Sequence, residues 1–340
     1  NYHAKGNAHI GDSLVLQYTF LQANKTKQGR GASATRPPET TWNQRGPSPV
    51  HTGKVQYTIN DNNYAEFSIN NTGLGFFLEP QGGRDVQVLY EYAAGSWDNS
   101  YFYYTTDRPL WNVRVDANTY IAGSNVDHEL KYGYSYRDAG VYSDSGIGSG
   151  IIAAFFNGAP VEAWLVQGGR VNSEGKRHSF YVGDTITAGR LVANVGMRYD
   201  IQSSSNTGGT TNGVPVFPSL FPPISSTPSD TYTWNTFSPR VGITYDLSGD
   251  GRTIARASFS RYGSQMNAGQ FDSIDPLAVY READFDWFDL NSNNLVDDGE
   301  AGDLLWASGG WDPSNPAAPS QNVIGDADSP YNNEFILGLE

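Results

Sequence analysis

The sequence predicts an all-β protein whose strands form an antiparallel transmembrane β-barrel with long extracellular loops. Three observations lead to this fold class. The 340 residues include 38 Gly and 18 Pro, which disfavour helix interiors. Apolar and polar side chains alternate with a period of two along many segments. Short turns and long polar connections alternate between those segments, a rhythm typical of outer-membrane barrels.

The alternation assigns two faces to each predicted strand. Apolar side chains occupy every second position, as Val241, Ile243 and Tyr245 do in one segment. In a membrane barrel the apolar face contacts lipid and the polar face lines the lumen. The charged residues that this pattern places toward the lumen are Arg114, Asp116, Glu129, Lys131, Arg137, Arg198, Asp200, Arg240, Asp246 and Arg256.

Eleven segments carry the alternation, at residues 2–10, 13–26, 53–60, 63–72, 109–121, 125–137, 176–187, 190–202, 235–247, 252–262 and 331–340. Tight turns of residues that tolerate positive φ lie at 11–12, 61–62, 122–124, 188–189 and 248–251. Long polar connections lie at 27–52, 73–108, 138–175, 203–234 and 263–330. A soluble antiparallel sandwich also alternates, and periodicity alone leaves that alternative open.

The number of strands bears on how much of the barrel this chain supplies. A sheet edge in hydrocarbon leaves backbone hydrogen-bonding groups unpaired, at several kcal/mol each. Eleven is an odd number, and no predicted strand is an obvious closing partner. We therefore expect residues 1–340 to form about half of a larger barrel that is cut at both ends.

Charge and composition exclude several function classes. The net charge of −14 repels a phosphate backbone and excludes nucleic-acid binding as the main function, whereas a neutral or cationic ligand is compatible with it. The absence of Cys excludes disulfides and thiolate chemistry. The longest apolar run, Ile151 to Phe156, is too short for a membrane helix. For the predicted transmembrane barrel, we expect outer-membrane lipid to be the partner that contacts the apolar face.

Particular segments carry a family resemblance. Residues 237–247 read FSPRVGITYDL and are followed by GDGRT at 249–253 and RASFSRY at 256–262. Together with FYVGD at 180–184, NVGMRYD at 194–200 and HELKYG at 128–133, they resemble hairpins of TonB-dependent outer-membrane receptors. RPPETTWNQ at 36–44 and TDRP at 106–109 are similar to segments of the Oar-like branch of that family.

This resemblance implies a fold, a location and partners. The family has a 22-stranded barrel in the outer membrane of Gram-negative bacteria, plugged by an N-terminal domain through which the TonB complex supplies energy. We expect residues 1–340 to be a partial barrel domain that lacks the plug and the remaining strands. The implied function is movement of a large solute across the outer membrane. The lumen-facing charges are then expected either to contact the plug or the solute, or to pair with one another.

A second motif lies inside the long loop at 263–330. Residues 289–300 read DLNSNNLVDDGE and fit the calcium loop D-x-[DN]-x-[DN]-G-x5-E, with Asn294 in place of Gly. Asn is the next best residue for the left-handed conformation required there. The expected ligands of Ca²⁺ are Asp289, Asn291, Asn293, the Leu295 carbonyl, Asp297 and Glu300. A solvated Asp/Asn turn is the alternative.

No sequence feature supports enzymatic activity, because the chain has no nucleophile-elbow, zincin or P-loop motif and its five His are scattered. Exposed aromatics in the loops bind a partner, pack the loops together or sit in the interfacial girdle of a barrel. Seven Trp lie in or beside long connections: Trp42, Trp97, Trp164, Trp234, Trp287, Trp306 and Trp311. The second function hypothesis is therefore a surface binding or adhesion barrel with calcium-stiffened loops, and a third is a soluble carbohydrate-active β-protein.

Overall fold

The computed structural model describes residues 1–229, 231–270, 272–318 and 328–340, so positions 271 and 319–327 of the predicted loop 263–330 lie outside the described residues. Within these ranges, four short 3-10 helices occur at Pro38–Thr40, Gly148–Gly150, Asp272–Ile274 and Pro276–Ala278. The strands are β1 (Tyr2–Ile10), β2 (Leu14–Arg30), β3 (Trp42–Asn60), β4 (Asn63–Pro80), β5 (Val88–Glu91), β6 (Ser96–Asp98), β7 (Phe102–Ile121), β8 (Asp127–Ile147), β9 (Ile151–Phe156), β10 (Ala159–Gln167), β11 (Arg170–Ala188), β12 (Leu191–Asn206), β13 (Gly209–Thr211), β14 (Ile224–Ser226), β15 (Tyr232–Asp246), β16 (Ile254–Gly263), β17 (Arg281–Trp287), β18 (Ala301–Ser308) and β19 (Tyr331–Leu339).

Eleven strands form one antiparallel sheet, the wall sheet, in the order β1-β2-β3-β4-β7-β8-β11-β12-β15-β16-β19. Each of these strands contains or overlaps one of the eleven segments predicted from the alternation, so the eleven wall strands and their antiparallel pairing are confirmed. Among the described residues, β1 and β19 each pair on one side only, and the sheet is not closed into a barrel.

Several wall strands are longer than predicted. β3 begins at Trp42 instead of residue 53, and β8 runs for 21 residues to Ile147 instead of ending at 137. Pro47 and Pro49 lie inside β3, where a proline normally argues against a strand. A membrane crossing needs only about 9–11 residues. The added residues therefore extend the sheet beyond the length that a crossing needs, and their sequence carries no period-two signal.

The long connections, which the sequence predicted only as polar loops, contain a second sheet. Strands from three connections form a six-stranded sheet, the loop sheet, in the order β18-β17-β10-β9-β5-β6. All of its pairs are antiparallel except β5 with β9. Several of these strands have only three to six residues, and β9 is apolar throughout, so neither length nor alternation distinguished them from loops.

One face of the loop sheet is covered by a fourth connection and forms the main hydrophobic core. The connection between β12 and β15 supplies Val214, Phe217 and Phe221 to this core. The ring of Phe221 stacks on Trp311 at a centroid distance of 5.3 Å. The remaining buried members are Ile151, Ala153, Phe155, Ala163, Leu165, Ala283, Phe285, Trp287 and Val296. Four connections are therefore folded together above the wall sheet.

A buried polar clamp holds these connections in place. Gln167 is 2% exposed, and its amide nitrogen donates to the carbonyls of Asn212 (3.1 Å) and Pro222 (2.8 Å). Its amide oxygen accepts from the guanidinium of Arg281 at 3.2 Å, and Arg281 also donates to the carbonyl of Pro316 at 2.8 Å. Unpaired buried polar groups are costly, so the side chain of Gln167 fixes strand β10 to two other segments.

Among the described residues, no helix is long and apolar enough to cross a membrane.

Candidate functional site

The charged residues predicted to face the lumen share one face of the wall sheet. The pairing registers carry this face continuously from Arg114 on β7 to Arg256 on β16. Its members are the ten predicted residues Arg114, Asp116, Glu129, Lys131, Arg137, Arg198, Asp200, Arg240, Asp246 and Arg256. Their contacts with a plug or a solute remain a prediction.

The opposite face is apolar and exposed. One row in register across seven neighbouring strands contains Val55, Phe67, Val115, Tyr134, Phe180, Tyr199 and Phe237. On β15 the apolar positions run from Phe237 to Tyr245, eight steps of about 3.3 Å, or about 26 Å along the strand. At a tilt of about 40° this corresponds to roughly 20 Å of depth, close to the apolar band of membrane barrels. An exposed apolar surface of this extent requires an apolar neighbour.

Some ion pairs on the polar face form between residues two positions apart on one strand, and a hydrogen bond links one of these pairs to another strand. Asp116 accepts from Arg114 Nε at 2.5 Å and from the hydroxyl of Tyr181, two strands away. Arg198 donates through Nε and Nη2 to Asp200, at 2.9–3.0 Å. These carboxylates and guanidiniums satisfy one another, which is the arrangement expected of a wet interior wall.

The remaining predicted residues divide into wall and turn positions. Lys131 pairs with Glu129 at 2.8 Å, and Arg256 pairs with Glu340 at 2.9 Å. Asp246 lies at the end of β15 and accepts hydrogen bonds from the backbone N–H of Gly249 at 2.8 Å and of Gly251 at 2.9 Å. Asp246 therefore shapes a tight turn, in addition to lying on the polar face.

Sequence reasoning missed several charged residues on this face, among them Glu66. Glu66 accepts from Lys54 at 2.8 Å and from Gln56 and Tyr64 at 3.0 Å each. The alternation of Lys54 and Gln56 with Val55 was a signal that could have identified it. With Glu66 included, the polar face carries ion pairs from β3 to β19.

At one rim of the loop sheet, a carboxylate joins two of its hairpin turns. Glu91 accepts from the backbone N–H groups of Ala93 (2.9 Å), Asn157 (3.0 Å) and Gly158 (2.9 Å). The hydrogen bond from Ala93, with those from Gly158 and Asn157, lowers the pKa of Glu91. Charge on Glu91 therefore stabilises the contact between the β5–β6 and β9–β10 turns.

The calcium-like segment forms a compact turn against the loop core. Asn294 has φ 61°, the left-handed conformation expected at its position. Asp289 accepts from the backbone of Asn293 and Asn294, and Glu300, 3% exposed, accepts from Trp287 Nε1 at 3.2 Å. The amide nitrogens of Asn291 and Asn293 both donate to Asp297. Among the described residues, no three His, Asp or Glu side chains form a metal-ligating group, so Ca²⁺ would need the amide and carbonyl oxygens of this loop.

The predicted loop tryptophans fall into three groups. Trp42 and Trp97 are half-buried and both pack on Tyr101. Trp234, Trp287 and Trp311 are buried and pack the connections together. Trp164 is half-buried and Trp306 is exposed, and both lie on the face of the loop sheet opposite its main core. The buried three therefore take the packing role, and ligand contact by any of the others stays a prediction.

The two faces of the wall sheet and the loop sheet together define a class of protein: a membrane β-barrel wall, apolar outside and polar inside, with a folded layer of loops at one end. A family model described as "TonB dependent receptor-like, beta-barrel" matches residues 5–327. The chain therefore belongs to the TonB-dependent receptor β-barrel family and is an outer-membrane protein. The family is one of receptors, which agrees with the lack of catalytic motifs, and the soluble alternatives are set aside.

Solved structures show the same fold at low sequence identity. The outer membrane transporter YddB from Escherichia coli is 11% identical with a TM-score of 0.56, over 85% of this chain and 38% of that one. The ferric-catecholate import receptor Fiu from E. coli K12 in its closed form is 11% identical with a TM-score of 0.50, over 85% and 48%. FpvA of P. aeruginosa bound to heterologous pyoverdines is 11% identical with a TM-score of 0.50, over 84% and 39%. The chain spans less than half the length of each of these three proteins, and no curated protein sequence matches it.

Proposed function

We propose that this chain is the barrel segment of an Oar-like TonB-dependent receptor that moves a large solute across the bacterial outer membrane. One observation carries the proposal: the strands that bear the continuous polar face also bear the folded loop layer. A solute captured by that layer has a polar wall below it. The length covered in the solved relatives supports a complete barrel of about 22 strands, with eleven contributed by this chain.

The proposed mechanism separates capture from passage. The loop sheet and its connections bind the solute outside the cell. The ion-paired face of Arg114, Asp116, Arg198 and Asp200 then offers hydrogen-bonding groups along the lumen. A plug domain, contacted by the TonB complex, opens the passage when energy is supplied. The residues of this chain would thus act as wall and receptor, with no catalytic step.

Comparative depletion of a complex growth medium tests this proposal. Wild-type cells, cells lacking the receptor gene and cells lacking TonB are grown in the same medium, and the solutes left in it are identified by mass spectrometry. We expect a set of large solutes that both mutants leave behind. If every solute left by the receptor mutant is still consumed without TonB, the transport function is wrong.

The folded loop layer also favours the second candidate, a surface binding or adhesion barrel. An adhesin keeps its surface binding when TonB is deleted and shows no energy-dependent accumulation. Cells that lose attachment without the receptor but keep it without TonB would support this alternative. Cells whose attachment is unchanged without the receptor would exclude it.

We further propose that the segment 289–300 binds Ca²⁺ through Asp289, Asn291, Asn293, the Leu295 carbonyl, Asp297 and Glu300, and thereby stiffens the loop layer. The left-handed Asn294 and the buried Glu300 support this assignment. Tb³⁺ can replace Ca²⁺ in oxygen-ligand sites, and Trp287 lies within hydrogen-bonding distance of Glu300 to sensitise its emission. We expect Ca²⁺-competed Tb³⁺ emission from the intact protein. Asp289→Asn should abolish the emission and Asp298→Asn should not, whereas equal signals from both variants would contradict the site.

A further inference from the structure

The loop sheet has a second face, opposite its main core, on which aromatic rings follow one another from strand to strand. Ring centroids lie 4.5 Å apart for Tyr90 and Trp97, 5.5 Å for Tyr90 and Trp164, and 5.9 Å for Tyr92 and Trp164. The face continues to Trp306, which is 52% exposed. Five interstrand spacings of about 4.8 Å separate β6 from β18, so this aromatic face is roughly 24 Å long.

Carboxylates are interleaved with these rings. Trp164 on β10, Asp284 on β17 and Trp306 on β18 are direct neighbours in register, which places one carboxylate between two indoles. Side chains that face each other across strands are about 5 Å apart. Glu162 lies beside this row and accepts from Tyr92 Oη at 2.6 Å and Trp164 Nε1 at 2.7 Å. Ring faces and carboxylates both attract cations.

Within the described part of the chain, no Lys, Arg or His pairs with these carboxylates. Asp284 Oδ1 is buried and has no hydrogen-bond partner there. The titratable groups facing Asp284 are Glu282 and Asp286 on its own strand, Glu162 on β10 and Tyr92 from the turn after β5. Burial, with repulsion from Glu282 and Glu162, raises the pKa of Asp284 to about 7. The face therefore gathers negative charge without a counter-cation.

The chain itself places a guanidinium at the other end of the same series of rings. Arg36 lies between Tyr101, at 3.7 Å from the ring centroid, and Trp42, at 4.4 Å. Tyr101 in turn packs on Trp97 at 5.0 Å. At that end, an internal cation fills the space between two rings. At the end formed by Trp164 and Trp306, no described residue does so.

We propose that this aromatic face binds a basic peptide in extended form. One ammonium or guanidinium group lies between Trp164 and Trp306 against Asp284, and the backbone follows the rings toward Trp97. At about 3.3 Å per residue, roughly seven extended residues span the face, which is too long for a single small amine. This inference deepens the proposed function. It rests on that function for one point, namely that the bound peptide is also the solute that the receptor moves.

Binding of a defined peptide to the intact receptor in detergent tests the proposal. The probe is a seven-residue peptide alternating glycine and lysine, and the matched control peptide has glutamate in place of lysine. We expect calorimetry to detect only the lysine peptide. Trp306→Ala and Asp284→Asn should each weaken its binding roughly tenfold, and Asp298→Asn should leave it unchanged. Affinity should rise between pH 6 and 8 as Asp284 ionises, and Asp284→Asn should remove most of that rise.

Several results would overturn the proposal: binding of both peptides alike, unchanged affinity in both variants, or displacement of the peptide by equimolar tetramethylammonium, which would identify a small-amine site.

Uptake measurements distinguish failure of the peptide-binding proposal from failure of the transport function. Peptide that binds through this face but is not accumulated by TonB-proficient cells leaves the inference standing and counts against transport. TonB-dependent accumulation of peptide that is unaffected by Trp306→Ala counts against the aromatic face alone.

Discussion

The apolar face of the wall sheet makes a depth-dependent prediction for Val241. This residue lies four positions from both Phe237 and Tyr245, the ends of the apolar run on β15, and therefore near the bilayer midplane. Arg at the midplane of a membrane barrel costs about 2–4 kcal/mol, and near the interface about 0–1 kcal/mol. We expect Val241→Arg to destabilise the folded barrel by about 3 kcal/mol, and Phe237→Arg by less than about 1 kcal/mol.

The neighbouring residue supplies a matched control on the opposite face. Gly242 points to the polar side, and a Cβ there would lie 3.8 Å from Ser258 Cβ and 4.0 Å from Asn194 Cβ, so the site has room for a side chain. Gly242→Arg should cost less than about 1 kcal/mol. The measurement is urea titration of the intact protein folded into lipid vesicles, followed by tryptophan fluorescence and gel mobility. Equal costs for Val241→Arg and Gly242→Arg would refute the assignment of lipid and lumen faces.

Three further predictions concern the loop layer. Gln167→Leu removes three buried hydrogen bonds and should lower the local stability of this layer by about 3–6 kcal/mol, seen as faster amide exchange, whereas exposed Gln28→Leu should have no effect. Gly309→Ala places a Cβ 1.9 Å from a backbone oxygen at φ +66° and should release the layer to proteolysis, while Gly95→Ala, at φ +60° in open space, should cost only about 1–2 kcal/mol. Because the pKa of Asp284 is raised to about 7 in the folded state, ionisation destabilises that state and stability falls as pH rises from about 4 to 7. Asp284→Asn should therefore protect the layer from protease at pH 8 and make no difference at pH 4, and equal digestion of both proteins at pH 8 would contradict this.

The sequence predicted the wall sheet because the side chains of a membrane strand alternate between lipid and water, so apolar residues recur at every second position. Val241 and Arg240 must face different solvents, so the pattern is strong enough to identify the strands and their two faces. The ends of the strands were not predictable in this way, because β3 from Trp42 to Val50 reads WNQRGPSPV and shows no regular alternation of apolar and polar residues.

The loop sheet escaped prediction for another reason. Its strands pair with partners from other connections, such as β5 with β9, and β9 is apolar at every position. Local periodicity carries no information about such long-range pairing. The same limit applies to the aromatic row: Trp164 and Trp306 are 142 positions apart in the chain and meet only because β17 lies between their strands. By contrast, the left-handed Asn294 was predictable from its place in a local motif.

The pairing of β5 with β9 and of β10 with β17 has an evolutionary consequence for the loop layer, which we propose faces the outside of the cell. Surface loops that do not contact one another can gain, lose or exchange residues under selection by phage and antibodies without affecting the structure of their neighbours. Here three hairpins share one set of interstrand hydrogen bonds, and a fourth connection supplies their hydrophobic filling. An insertion in any one shifts the registers of the others, so these four segments are expected to change together or not at all across descendants of this protein.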